Sequence, residues 1–198
     1  MKTRLFIMLL WLSALPFLSH AQGRYMTKAG HVSFFSSSIM EDIEATNTAT
    51  AAVVDLATGQ LAFSVPIREF QFKRTLMQEH FNENYMESDK YPKATFAGHF
   101  SGADATALSS AGPHQVQVAG DLTIHGVMHH VAVTGTLELK GGQLLATAQF
   151  NVASADYKIE IPMLVRDHIA KVVNVRVALS CDAVGGSMVP MSSTTPGH

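Results

Sequence analysis

The strongest constraint on this chain is a period of two in its apolar residues. Val116, Val118, Gly120, Leu122 and Ile124 occupy every second position, as do Val131, Val133, Gly135, Leu137 and Leu139. Leu61, Phe63, Val65 and Ile67 repeat the pattern, followed later by Leu144, Ala146, Ala148, Phe150 and Val152 and by Val173, Val175, Val177 and Leu179. Successive strand side chains point to opposite faces, so these runs describe half-buried strands that share one apolar side.

Three further segments complete the set. Gly30 to Ser36 opens a first strand, Asn47 to Leu56 is β-branched and small, and Ala94 to Ser101 places Phe96 and Phe100 on one face around Gly98. Ala57-Thr58-Gly59 and Lys140-Gly141-Gly142 are tight turns, whereas Ser101 to His114 has the composition of a loop. Pro66 lacks an amide hydrogen and belongs at a strand end or an edge. About eight strands with short links and no alternating helices fit either a sandwich or an up-and-down barrel. Clean alternation, with Gly98, Gly120 and Gly135 where a wall must bend, favours the barrel, and one of that size holds a small ligand.

One stretch breaks the succession of strands. Between Phe70 and Gly98, Thr75-Leu76-Met77-Gln78 has the form of a capping box, with Thr75 closing the first helical turn and Gln78 reaching back. Met77, Phe81 and Tyr85 then recur every fourth residue, which gives a short amphipathic helix one apolar stripe, with Gln78, Glu79, Asn82 and Glu83 facing elsewhere. The stripe either caps one end of the barrel or also meets an apolar guest, to which Met and aromatic side chains adapt well. Glu87 to Pro92 is a charged turn in which Pro92 keeps Tyr91 extended, and it aims the chain into the Phe96/Phe100 strand.

The ends and the composition fix the expected compartment. Lys2 and Arg4 precede an apolar run from Leu5 to Leu18, and Ser19-His20-Ala21 offers a cleavage site, so residues 1–21 are expected to be a secretory signal. The run is too short for a membrane span, which takes about 20 apolar residues. A single domain is expected over 22–184, and residues 185–198 are too poor in core-forming side chains to pack. Net charge is −2 with scattered Lys and Arg, which excludes the basic footprint of a nucleic-acid binder. Cys181, the only cysteine, falls in an alternating run and is expected to be a packed thiol.

Three runs carry a family resemblance: MQEHFNENYMESDKYPKATFAG, GDLTIHGVMHHVAVTGTL and FNVASADYKIEIPMLVRDHIAKVVNVRVAL. In this order they resemble the YceI-like family, secreted proteins of lipocalin-like fold that bind polyisoprenoids or other long lipids. The resemblance implies an all-β, eight-stranded antiparallel lipocalin-like barrel with one short amphipathic helix between strands. It also implies a long apolar tunnel, no chemistry of its own, no cofactor, a periplasmic or secreted location and, as one assembly, a homodimer. The expected ligand is a long-chain lipid or isoprenoid. From the residues, its contacts are expected at inward-facing Phe63, Phe96, Phe100 and Phe150 and on the helix stripe Met77, Phe81 and Tyr85, with Tyr157 available to a head group. The alternative is an envelope stress protein for another small apolar ligand, such as a quinone or a fatty amide.

Competing chemistry rests on the histidines and serines. In a continuous strand His125 and His129 would share a face with His130 turned away, so a metal site would need a third ligand such as His99 or His114. The resemblance carries over His125 alone, in TIHG, and a metal-dependent enzyme is a distant third reading. No GxSxG elbow occurs, and Ser88 has only charged turn neighbours, so no catalytic residue is assigned.

Overall fold

The computed structural model of the chain describes residues 23–37, 42–161 and 170–184. The expected signal segment and tail lie outside the described residues, as do residues 162–169 of the connection between β8 and the last strand, where the sequence reads as a helical turn. The strands are β1 (Arg24–Ser36), β2 (Ile43–Asp55), β3 (Gln60–Pro66), β4 (Gln71–Phe72), β5 (Lys93–Ser101), β6 (His114–Ile124), β7 (Val127–Lys140), β8 (Gln143–Ala153) and β9 (Val172–Ala183). The sheet order is β1-β9-β8-β7-β6-β5-β3-β2-β4, and β1 also pairs with β2. That last pairing closes an antiparallel eight-stranded barrel, on which the two-residue β4 is a short addition to β2. The barrel expectation is thus met; β1, however, begins at Arg24 and not at Gly30.

Two-residue turns of the left-handed kind join the long hairpins. Gly141 and Gly142 have φ of 59° and 84° between β7 and β8, and His125 and Gly126 have φ of 51° and 73° between β6 and β7. Both central residues of such a turn need positive φ, because its twist then matches that of the strands. His125 therefore sits in a turn and not, as a continuous strand would have it, on the same strand face as His129.

Closure is complete at one end of the barrel and splayed at the other. At the closed end Leu56, Leu144 and Cys181 are buried together with Leu108, which a 3-10 turn at Ala107–Ser109 folds inward from the β5–β6 connection. Loop composition concealed that plug. Burial pushes the Cys181 thiol up to about 11, with the neighbouring Asp182 charge adding to the shift. At the other end β2 pairs with β3 only from Ala51↔Ser64 onward, and β7 pairs with β8 only from Gly135↔Ala148. The non-strand insertions fill these splits. Residues 67–92, which contain β4 and the helix, follow β3, and the Ser154–Tyr157 turn follows β8. Asn47, fully buried, holds the first split: its Nδ2 donates to the Pro66 carbonyl at 2.8 Å while its Oδ1 accepts from the Ala49 amide at 2.9 Å and from the Thr50 hydroxyl at 3.2 Å.

Glycine sets the wall's interior relief at one pair. Gly98 and Gly120 face each other across β5 and β6, and the Phe96 ring lies over both. A Cβ on Gly98 would stand 2.3 Å from the Ala119 carbonyl and 2.8 Å from that ring; one on Gly120 would stand 2.4 Å from the Ala97 carbonyl. Phe63 stacks on Phe96 with ring centroids 5.1 Å apart and planes 14° apart, a pairing worth about 1 kcal/mol beyond area burial.

Two outcomes are expected from this packing. Gly98→Ala and Gly120→Ala should each lower the unfolding free energy by about 1–3 kcal/mol in urea titrations, since rigid carbonyls obstruct the added methyl. Native protein at mildly alkaline pH should leave Cys181 unmodified by iodoacetamide, whereas urea-unfolded protein is alkylated, because the thiolate is the nucleophile and the fold withholds both proton loss and access.

Candidate ligand-binding cavity

The helix takes its place through backbone and amide contacts and not through the expected capping box. Helix α1 (Thr75–His80) runs on into a wider π-type turn at Phe81–Tyr85; its N-cap is Arg74, and no side chain caps it. Gln78 does reach back, yet its Oε1 accepts from the Phe72 amide at 3.3 Å, and Asn82 Nδ2 donates to the Gln78 carbonyl at 3.0 Å. Two residues read as facing elsewhere thus fasten the helix to β4 and to itself. The apolar stripe lies against the barrel: Phe81 packs on Phe34, Phe70 and Phe72 with ring centroids 5.6, 5.6 and 4.9 Å away.

Beneath this aromatic cluster is a cavity of about 200 Å³. Met77, Phe81, Tyr85 and Met86 line it from the helical stretch, with Phe34, Phe70 and Phe72 beside them and Val65, Ile124, Val152 and Val175 from the wall. Ser36, Ser154 and the Tyr85 hydroxyl are its polar groups, and no charged side chain is among the described lining residues. Burial raises the Tyr85 pKa, so the hydroxyl stays neutral. The Ser36 Oγ is buried and has no hydrogen-bond partner among the described residues. Ser36 ends β1 opposite Ile43, at the splayed end, which puts this hydroxyl near the rim.

The residues singled out from sequence separate into groups. Phe63 and Phe150 line both this cavity and a smaller one, of about 60 Å³, below it. Phe96 and Phe100 line only the smaller one, and Met77, Phe81 and Tyr85 only the larger. Tyr157 lines neither: it is buried among Phe96, Leu122 and Val152, with its ring edge-on to His129 at 5.0 Å. Burial raises its pKa, helped by the Asp156 charge. Phe34, Phe70 and Phe72 were missed, although the alternation of Val32, Phe34 and Ser36, and of Phe70 and Phe72, carried the signal.

The histidines have structural partners. His125 sits between a carbonyl and a carboxylate, with Nδ1 3.2 Å from the Tyr157 oxygen and Nε2 2.8 Å from Glu87 Oε2. Its ring meets Tyr91 edge-on at 4.5 Å, and a Cβ on Gly126 would collide with Tyr91 at 2.5 Å, so the 87–92 turn docks closely on the β6–β7 turn. His129 Nε2 lies 2.8 Å from the Asp156 carbonyl. These two side chains tie the Ser154–Tyr157 turn to the part of β7 that β8 does not pair. His130 faces Asp121 at 2.9 Å on the exposed surface.

Comparison with known proteins agrees with this architecture. The model of the YceI-like domain matches residues 18–183. The chain belongs to the YceI-like family. A search of curated proteins finds no match. Among solved structures, the YceI-like chain is similar to a polyisoprenoid binding domain from Saccharophagus degradans implicated in plant cell wall breakdown. The TM-score is 0.69 at 16% identity, over 82% of this chain and 99% of that one. Burkholderia cenocepacia BcnA aligns with a TM-score of 0.64 at 18% identity over 76% and 95% of the two chains. A Campylobacter jejuni YCEI protein aligns with 0.56 at 15% identity over 73% and 86%. At these identities the likeness establishes the fold of the YceI-like chain.

A contrast between two histidines tests the structural assignment. His125→Leu should lower stability by about 1–3 kcal/mol in denaturant titrations, because the Tyr157 carbonyl and the Glu87 carboxylate lose the imidazole that they face. His130→Leu, on the exposed pair, should change it by less than about 0.5 kcal/mol.

Proposed function

We propose that this protein binds and carries a long-chain apolar lipid, polyisoprenoid or fatty-acid-like, in the cell envelope, without catalysis. The observation that carries the reading is the cavity under α1, whose described lining is apolar apart from two serines and one tyrosine hydroxyl. A flexible hydrocarbon within an apolar chamber of about 200 Å³ gains dispersion contacts with the lining on every side. Each buried methylene contributes roughly 0.8 kcal/mol, so affinity comes from chain length and the few polar groups near the rim give orientation. The polyisoprenoid binding domain of Saccharophagus degradans, which has the same fold, supports an isoprenoid as the first ligand to test. The apolar run of residues 5–18 after Lys2 and Arg4 supports export, with cleavage after Ala21.

The Ser36 hydroxyl favours a second reading within the same site. A buried Oγ at the rim with no partner among the described residues suits a neutral head group able to share a hydrogen bond, as a quinone carbonyl or a fatty amide does.

Purification without detergent, followed by solvent extraction and mass spectrometry, should release close to one long-chain molecule per protein. A chain that emerges empty and binds no lipid afterwards would remove the proposal. Phe81→Asp should reduce ligand retention about tenfold or more, by placing a carboxylate in the aromatic cluster. Glu87→Gln, in the turn outside the cavity, should leave retention within about twofold while lowering stability slightly.

A further inference from the structure

Two cavities in the barrel interior adjoin and share part of their lining. Four residues line both cavities: Phe63 on β3, Leu122 on β6, Phe150 on β8 and Val177 on β9. Phe63 and Phe150 stand on diametrically opposite staves, since β3 and β8 are four strands apart in either direction round the closed sheet. They form a waist between the cavity under α1 and the smaller one toward the plugged end.

We propose that this waist, and Phe63 in particular, is the length stop for the bound chain, so that the protein selects among apolar chains by how far they reach before meeting the Phe63 and Phe150 rings. The inference rests on the lipid reading of the cavity. Phe63 is suited to the role because its ring is backed on one face: it stacks on Phe96, and Phe96 in turn lies close against the Gly98/Gly120 pair. The stop is therefore backed by the wall. A chain entering under α1 with its polar end near Ser36 runs toward the waist, gaining about fourfold in affinity per methylene buried until its end meets the rings. Beyond them lies space for more of the chain, about 60 Å³ of it, which the native waist withholds.

The test is displacement of Nile red from the full chain, stripped of lipid, by linear alcohols from decanol to docosanol, with folding of each variant checked by cooperative unfolding. For the native protein, affinity should climb steadily with length and then break to a plateau. Phe63→Ala and Phe150→Ala should move the break to longer alcohols and raise affinity for the longest by about fifteenfold, the worth of two further methylenes. Phe63→Trp, which thickens the waist, should move it to shorter ones. A destabilised fold cannot move the break in opposite directions, so the Trp variant keeps the test decisive even if an Ala variant does not fold. A break at one length in every folded variant, or no break in the native series, overturns the length stop while leaving lipid binding in place. Failure of every alcohol to displace Nile red from native protein and variants alike overturns the lipid reading, and the length stop with it.

Discussion

The structure depends on the pairing of β1 with both β9 and β2, which turns a row of strands into a closed wall. A closed sheet satisfies its backbone donors and acceptors from within, so the interior has no polar obligation and can be left apolar and partly empty. An open sheet of the same sequence would have to cover its edges and its apolar face with something else. Closure is what allows Val32, Val65, Val175 and the phenylalanines to face one another round a cavity instead of filling a solid core.

A wall closed along its full length would be sealed, and the chain avoids this by relaxing closure at one end. There β2 parts from β3, and β7 from β8, and each gap receives a segment of different character. The first segment brings a helix with an apolar stripe to the cavity. The second brings Tyr157 as a wedge of side-chain packing, fastened through its backbone carbonyls by His125 and His129. At the other end Leu108 closes the barrel from a loop, so entry and packing are divided between the two ends.

Most of the wall was legible in the sequence because period-two alternation is a local signal and a barrel interior enforces it on every strand. Phe63, Phe96, Phe100 and Phe150 were placed inward on that basis, and all four line cavities. The stripe of Met77, Phe81 and Tyr85 was readable for the same reason at a period near four. What escaped was whatever depends on register between strands. The Phe63–Phe150 waist exists because β3 and β8 lie opposite each other. The Phe96 bed exists because Gly98 meets Gly120. Tyr157 looked like a residue for a head group, yet the early end of β7–β8 pairing gives it a gap to fill. Thr75 had the spelling of a cap, but Arg74 holds the cap position and Gln78 found a nearer partner in the Phe72 amide.

The seam between β7 and β8 gives the barrel an uneven hoop strength. Over the Val127–Thr134 half of β7, no ladder joins the two strands, and among the described residues the contacts across it include the His129 imidazole and the Tyr157 ring, with His125 beside them in the β6–β7 turn. Side-chain sutures of this kind part at lower free energy than a continuous ladder, so the barrel's first excursions in circumference occur along this line. Widening along this line breaks no ladder bond, so the circumference of the barrel is set here by side-chain contacts while the rest of the sheet stays paired.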